Sequence, residues 1–203
     1  MTADRFIDTG KHLIQFADEV LVNCVRCGSP GTVVANWIPY KWVAQFDCKH
    51  CHLELRSADE DWVGPVRLWG RVPCGYCGHK WLSPYIDYPA PLENPPSSIP
   101  ASCPQCGHQC LVNASMRRIV PGDQCIDPHF GLPLRLVADT RHGSVWAYNR
   151  RHLAELSGYV SATLRVRQGG GNGAMFSRLP KWMKLAKHRD EIAKALSRIG
   201  QIE

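Results

Sequence analysis

The sequence lacks any apolar run that approaches the about 20 residues needed for a membrane-spanning helix. Its opening stretch, MTADRFIDTGKHLIQFADEV, also lacks the basic segment and apolar core of a secretory signal, since acidic residues are scattered through it. Together these absences predict a cytoplasmic protein that makes no membrane contact. The apolar share of 44% is ordinary for a globular protein.

Patterns that indicate catalysis are scarce. The chain has no H-E-x-x-H motif and no Ser-His-Asp arrangement, and the glycines of RQGGGNGA lack the features of a phosphate-binding loop, so this stretch is predicted as a flexible linker. His142, Asn149 and His152 resemble the site residues of HNH nucleases, whose ββα unit lies beside a structural zinc. Only six residues separate His142 from Asn149, which is too few for the usual loop and returning strand. We therefore predict a non-enzymatic protein, with an HNH-like nuclease as a minor alternative.

Cysteine, in contrast, is abundant. The chain has ten cysteines, and eight of them form four C-x2-C pairs with the sequences CVRC, CKHC, CGYC and CPQC. In a reducing compartment such pairs argue against a disulfide framework and favour metal binding or redox chemistry. The paired residues are Cys24, Cys27, Cys48, Cys51, Cys74, Cys77, Cys103 and Cys106.

The spacing between the pairs favours two metal sites. Twenty residues separate Cys27 from Cys48, and twenty-five separate Cys77 from Cys103. At such distances two pairs can supply four thiolates to one tetrahedral ion, and such a closed site is structural rather than catalytic. We therefore predict two structural zinc ions per chain, whose binding energy of roughly 10–16 kcal/mol each is folding energy.

Paired cysteines have two other possible uses. A thioredoxin-like redox site would place one pair beside a βαβ pattern, which the sequence does not show. A rubredoxin-like electron carrier would hold iron in the same four-thiolate geometry, and spacing alone does not distinguish iron from zinc.

The residues between the pairs predict small β-sheets. GTVVANWI, KWVAQFDC and HLELRS are rich in β-branched and aromatic residues, which predicts a three-stranded unit over about residues 20–58. HKWLSPYIDY and HQCLVNASMRRIV predict strands of a second unit, and PAPLENPPSSIP, with five prolines, predicts a loop between them. The sequence therefore suggests a duplication, in which both units have one architecture.

CVRCGSPGTVV and CPQCGHQC resemble the knuckles of the zinc-ribbon superfamily, which includes transcription-factor-type and ribosomal ribbons. The resemblance covers roughly residues 20–118 and implies tetrahedral zinc and a β-ribbon fold. The tail, with SVWAYNRRHL and SRLPKWMKLAKHRDEI, resembles the tails of small uncharacterised bacterial tandem zinc-ribbon proteins. Because ribbons bind DNA, RNA and proteins alike, the resemblance implies little about function.

The last third of the chain predicts a hairpin followed by helices. GLPLRLVADTRHGSVWAYN is typical of a β-hairpin with DTRHG as the turn, and Asn149 is a candidate N-cap for the helix RRHLAELSGYVSATLRV. SRLPKWMKLAKHRDEIAKALSRIG predicts one helix, or two with a break near His188. Cys110 and Cys125, outside the pairs, are predicted to be small buried hydrophobic residues.

Charge is unevenly distributed along the chain. Residues 1–116 carry a net charge of −2 and residues 117–203 a net charge of +8. A basic segment of this kind favours an anionic partner such as DNA or RNA. The predicted phosphate contacts are Arg150, Arg151, Arg165, Arg167, Lys181, Lys184, Lys187, Lys194 and Arg198.

We therefore predict an α+β protein with two tandem four-cysteine zinc ribbons, a β-hairpin and a helical C-terminal part. Its predicted domains are 1–68, with an N-terminal helix and the first ribbon, 69–120, with the second ribbon, and 121–203. The predicted function is nucleic-acid binding. The alternative is a protein-interaction adaptor that presents exposed aromatic residues, since aromatics anchor interfaces. These residues are Trp37, Trp42, Trp62, Trp69 and Trp81.

Overall fold

The computed structural model describes residues 5–119, 125–168 and 171–202, so Val120 of the predicted strand and Gly169 and Gly170 of the predicted linker lie outside the described residues. The strands are β1 (Arg5–Asp8), β2 (Glu19–Asn23), β3 (Pro30–Ile38), β4 (Lys41–Asp47), β5 (Glu54–Arg56), β6 (Val66–Trp69), β7 (Tyr85–Tyr88), β8 (Ser98–Ser102), β9 (Gln109–Asn113), β10 (Ser115–Arg118), β11 (Leu136–Thr140), β12 (Gly143–Ala147) and β13 (Leu164–Arg167). The α-helices are α1 (Arg150–Ser161), α2 (Met175–Arg178), α3 (Lys181–Lys184) and α4 (Arg189–Gly200), and short 3-10 helices cover Leu13–Phe16, Ser57–Asp59 and Ala186–His188. Within these described ranges, no helix has the length and apolar character to cross a membrane.

The chain divides into two units. Unit 1 consists of Met1–Asp61 together with Gly122–Glu203, and unit 2 consists of Trp62–Pro121. This division differs from the three consecutive domains that we predicted, because the segment after residue 121 belongs with the first four cysteines rather than forming a tail of its own.

The first segment of unit 1 contains a four-stranded antiparallel sheet in the order β2-β3-β4-β5. One row of apolar side chains crosses all four strands, since Val20 pairs with Val33, Val33 with Phe46, and Phe46 with Leu55. All four side chains are buried. Burial of each contributes on the order of 1.5–3 kcal/mol, so this row gives the sheet a core of its own.

The rest of unit 1 adds to the β2 edge of this sheet. The Leu21 N–H donates to the Tyr148 carbonyl at 2.7 Å, the Arg135 N–H donates to the Leu21 carbonyl at 3.0 Å, and Val22 forms a bridge with Leu134. The hairpin of β11 and β12 is confirmed, but Asp139 pairs with Ser144 and Thr140 with Gly143, so the turn is residues 141–142 rather than the predicted DTRHG. Helix α4 packs against α1 and this hairpin. These long-range backbone hydrogen bonds make the C-terminal segment part of unit 1.

The structure corrects the predicted helices at two places. The predicted N-terminal helix is absent from the described residues, which form β1 and a 3-10 helix there. The helix after Asn149 ends at Ser161 rather than continuing through LRV, because Ala162 is extended and β13 pairs in parallel with β1. Phe6 of β1 packs edge-on against Tyr159 and Phe176, which favours the strand pairing.

The predicted final helix is divided into α2, α3, the 3-10 helix Ala186–His188 and α4. Pro180 separates α2 from α3, because proline favours an extended residue before it and Leu179 has ψ 142°. In α4, the side chains of Ile192, Leu196 and Ile199 are buried and form its apolar face.

Unit 2 contains two small antiparallel sheets, one of three strands in the order β10-β6-β7 and one formed by β8 and β9. Only Tyr85–Tyr88 of the predicted strand HKWLSPYIDY is a strand, which pairs with β6. An isolated bridge between Val72 and Leu82 lies outside both strands. The end of the predicted proline-rich loop forms β8, where Pro100 is tolerated because this two-stranded sheet leaves an edge. The units therefore differ in architecture, contrary to the predicted duplication.

Candidate functional site

The first cysteine tetrad lies at the turns of two hairpins of unit 1. Cys24 and Cys27 connect β2 to β3, and Cys48 and Cys51 connect β4 to β5. The Sγ atoms of Cys24 and Cys51 are 3.5 Å apart and those of Cys27 and Cys48 are 3.6 Å apart. Four sulfurs placed about 2.3 Å from a tetrahedral ion are about 3.8 Å from one another, so the spacing fits such an ion.

The second tetrad lies at the turns of two hairpins of unit 2. Cys74 and Cys77 lie between β6 and β7, and Cys103 and Cys106 connect β8 to β9. The Sγ atoms of Cys74 and Cys106 are 3.8 Å apart, and those of Cys77 and Cys103 are 3.7 Å apart. In each tetrad all four sulfurs lie within 4.8 Å of one another, so the predicted pairing of cysteines across long spacings is confirmed.

The same backbone turn forms all four knuckles. In each, the residue after the second cysteine donates its N–H to the carbonyl of the first cysteine, at 2.8–3.0 Å. In three knuckles that residue is a glycine with φ of 71–73°. In the fourth knuckle it is His52, with φ of 56°. A left-handed conformation costs a residue with a Cβ roughly 1–2 kcal/mol, so His52 is the strained member of the set.

Hydrogen bonds favour the thiolate form of some cysteines in these turns, and burial opposes it. The first cysteine of each pair is at most 3% exposed. A hydrogen bond from the Ser29 side chain lowers the pKa of the Cys27 thiol to about 5, and the backbone N–H groups of Cys77 and Tyr76 lower the pKa of Cys74 to about 6. Burial raises the pKa of the Cys51 thiol to about 12, so only part of each tetrad favours the deprotonated sulfur that binds metal.

Cys110 and Cys125 belong to neither tetrad. Cys110 is partly buried against Cys74, Leu82 and Cys103. Burial raises the pKa of the Cys125 thiol, which disfavours the reactive thiolate. Both cysteines are partly rather than fully buried, so the predicted burial is confirmed only in part.

Unit 2 also presents a surface on which arginines and aromatic rings alternate. The Arg117 guanidinium carbon lies 3.7 Å from the centre of the Trp69 ring, that of Arg67 lies 4.2 Å from Tyr85, and that of Arg71 lies 4.1 Å from Trp81. We call this surface the arginine–aromatic face. It consists of Arg67, Trp69, Arg71, Trp81, Tyr85 and Arg117.

Strand alternation explains this face. Arg117 pairs with Arg67, Arg67 with Asp87, and Trp69 with Tyr85, so these side chains project from the same side of the sheet. The intervening residues Val66 and Leu68 are at most 2% exposed and form the opposite, buried side. The sequence RLWGR contains this alternation, but nothing local to it indicates the face, because the third strand lies more than 40 residues away.

Six of the nine predicted phosphate contacts on the C-terminal segment have partners within unit 1. Arg150 donates to the Gly200 carbonyl at 2.8 Å, Arg165 to the Tyr159 carbonyl at 2.8 Å, and Lys184 to the Ser177 carbonyl at 2.7 Å. Several of these groups therefore satisfy carbonyls near helix ends. Arg151 pairs with Asp18. Arg167 donates to the Gly171 carbonyl and Arg198 to the Asp139 carbonyl. The remaining three residues, Lys181, Lys187 and Lys194, are exposed.

Of the three residues that resembled an HNH site, Asn149 and His152 contact each other at the start of α1, and His142 contacts His188. The predicted N-cap is confirmed, because the Asn149 Oδ1 atom accepts from the His152 N–H at 2.9 Å. The Asn149 Nδ2 atom donates to the Phe16 and Glu19 carbonyls. His142 stacks on His188 with ring centres 3.7 Å apart. The described residues of this region contain no group of three potential metal ligands.

Comparison with known proteins gives no assignment. No family model matches the chain, and searches of curated proteins and of solved structures find no significant match.

Proposed function

We propose that the protein is a metal-stabilised nucleic-acid-binding protein, in which zinc occupies both tetrads and the arginine–aromatic face contacts single-stranded DNA or RNA. The observation that supports this proposal is the stacking of every arginine of unit 2 on an aromatic ring. The fourth such pair is Arg118 over Trp62, at 5.4 Å, outside the face itself.

The chemistry of the face suits a single strand. Aromatic rings stack on unpaired bases, at about 1–3 kcal/mol per base, whatever the base identity. Guanidinium groups neutralise phosphates and also stack on bases. Because Trp81 and Tyr85 are 43% and 60% exposed, their rings are accessible to a ligand.

Charge favours the same surface. Unit 2 contains five lysines and arginines but two aspartates and glutamates. One of these acids, Asp87, accepts from Arg67 at 2.6 and 2.8 Å, and this ion pair lowers the pKa of the Asp87 carboxyl. Arg71 and Arg117 remain as cations on the face, since no carboxylate of the described residues forms an ion pair with either.

Zinc is the metal that we propose for both tetrads. Four thiolates with no further protein donor form the closed site typical of structural zinc, although rubredoxin-type iron has the same geometry. Elemental analysis of the purified protein distinguishes the metals, and we expect about two zinc ions per chain. Iron-loaded, coloured protein would instead indicate electron transfer.

Binding to labelled single-stranded RNA, single-stranded DNA and duplex DNA, measured by fluorescence anisotropy between about 50 and 200 mM salt, tests the proposal. We expect tighter binding to the single strands. Trp81→Ala is expected to weaken binding by about 1–3 kcal/mol. Arg117→Gln should make the slope of log K against log salt less steep by about 0.7.

Arg198→Gln is the matched control, because Arg198 is an exposed arginine of α4 outside the face. Unchanged binding by this variant supports the arginine–aromatic face. Weaker binding by Arg198→Gln, with no effect of Arg117→Gln, would move the interface to the C-terminal segment. Absence of binding to all three nucleic acids by zinc-loaded protein would overturn the proposal.

A protein-interaction adaptor is the second candidate, favoured by the β3–β4 hairpin tip of unit 1. Trp37 is 60% exposed and Tyr40 is 96% exposed, while Trp42 stacks edge-on against Trp37. Aromatic residues of this kind anchor protein interfaces. An interface built on them would persist at high salt, whereas phosphate contacts would not, and a Trp37→Ala variant would weaken it.

A further inference from the structure

Unit 1 contains a cavity of about 920 Å³ that neither tetrad uses. Its walls come from the 3-10 helix Leu13–Phe16, β12, α1, α2 and α3, all of which belong to unit 1. Sites for small organic ligands are concave, range from roughly 300 to 1,000 Å³ and are lined mainly by apolar groups with a few polar groups among them. The cavity has these properties.

The inner wall is apolar and well buried. Leu156, Met175 and Met183 are at most 6% exposed, and Trp146 and Trp182 add two indole rings. Gly143 lets one of these rings approach the hairpin, because a Cβ at this position would lie 3.2 Å from the Trp182 ring. These groups offer a flat or aliphatic ligand body two indole rings and two flexible thioether side chains to contact.

A buried histidine supplies a polar group in this wall. His152 is 2% exposed, and its Nδ1 atom accepts the Tyr148 N–H at 3.1 Å. In the neutral ring the proton therefore lies on Nε2. No described residue forms a hydrogen bond with Nε2, although His152 lines the cavity. A ligand oxygen could accept from this atom.

Two further nitrogen-bearing side chains converge at one end of the cavity. A Cβ built on Gly173 would lie 3.2 Å from the His12 Nδ1 atom and 3.9 Å from an Arg178 guanidinium nitrogen, so both groups lie close to one point. None of the sixteen lining residues, all within the described part of the chain, is an aspartate or glutamate. Glu191 does approach His142, at 3.7 Å, but it is paired with Arg141.

From these observations we propose that this cavity binds a small organic anion with an aromatic or aliphatic body, whose acidic group meets Arg178 and His12. The body of the ligand lies against Trp146, Trp182 and Met183. The site is separate from the arginine–aromatic face, so its test does not depend on nucleic-acid binding.

The test uses the zinc-loaded full chain and two fluorescent probes. One is 8-anilinonaphthalene-1-sulfonate, an aromatic anion, and the other is N-phenyl-1-naphthylamine, which has a similar ring system without the sulfonate. We expect saturable binding of one anionic probe per chain, with quenching of tryptophan fluorescence. Arg178→Met should weaken binding of the anion roughly three- to tenfold and leave the neutral probe unchanged.

Arg5→Met is the matched control, because Arg5 is an exposed arginine of unit 1 that does not line the cavity. A second variant, Leu179→Trp, adds bulk to the cavity wall and should weaken binding of both probes. The proposal is overturned if the anion binds without saturation, or if Arg178→Met and Arg5→Met have the same effect. It is also overturned if Leu179→Trp leaves both affinities unchanged in a variant that retains its zinc.

Discussion

The two units use the same knuckle hairpins but join them differently. In unit 1 a tight turn at residues 39–40 pairs β3 with β4, so both knuckle hairpins belong to one four-stranded sheet. In unit 2 the proline-rich segment 89–97 intervenes, and β7 and β8 lie in separate sheets. A four-thiolate site therefore does not require a continuous sheet; it requires two hairpin turns held within one ion's reach.

Their hydrophobic cores differ for the same reason. Unit 1 has the apolar row across β2 to β5 and further packing from α1 and α4. In unit 2 a core cluster contains cysteines of the tetrad themselves, since Cys74 and Cys103 pack with Leu82. A unit of about 60 residues buries little surface, so unit 2 should depend more strongly on its ion.

The largest expected effect is that of metal removal. Because each ion contributes on the order of 10–16 kcal/mol to folding, a chelator should unfold unit 2, while α1 and α4 of unit 1 keep measurable protection. Hydrogen exchange resolved by peptide measures both units in one sample. Cys103→Ser and Cys48→Ser separate the two ions, and equal loss of protection in both units would contradict the comparison.

The next largest effect concerns the contact between the two sheets of unit 2. A Cβ at Gly70 would lie 2.3 Å from the Asn113 carbonyl oxygen, so Gly70→Ala must displace backbone. We expect a loss of about 1–3 kcal/mol in the free energy of unfolding, measured by urea denaturation of zinc-loaded protein. Gly75→Ala is the control, because a Cβ there meets nothing within 4 Å. An equal effect of both variants would show that this close packing does not hold the sheets together.

The smallest effect concerns the one knuckle without glycine. His52→Gly should stabilise unit 1 by about 1 kcal/mol, because glycine adopts the left-handed conformation without steric cost. Gly28→Ala, at the equivalent place of the other knuckle in unit 1, should destabilise it by a similar amount. Thermal unfolding of zinc-loaded protein measures both changes, and a destabilising His52→Gly would mean that the imidazole makes a contact worth more than the strain.

Local patterns accounted for the metal-binding turns but not for the sheets around them. The C-x2-C spacing and the following glycine depend on a few neighbouring residues, so Cys24, Cys27 and Gly28 could be interpreted correctly. The pairing of β10 with β6 joins residues about 50 positions apart, and nothing local indicates that Arg117 lies beside Arg67. The arginine–aromatic face was therefore missed.

The C-terminal segment shows the same limit. The N-cap at Asn149 was predictable because a cap involves residues three positions apart. Whether Arg150 faces solvent or a carbonyl depends on where the end of α4 lies, which is a tertiary contact. Pro180, by contrast, is a local signal for the break between α2 and α3. The prediction of one helix gave it less weight than the apolar periodicity of the flanking residues.

Unit 2 interrupts unit 1 between residues 61 and 122, and this has a consequence for biosynthesis. As the chain leaves the ribosome, unit 2 is complete and can take up its ion while unit 1 still lacks β13 and α4. Unit 1 therefore completes its folding after unit 2, although the first residues of unit 1 are synthesised earlier. Supply of zinc during translation would act on unit 2 before unit 1 has closed.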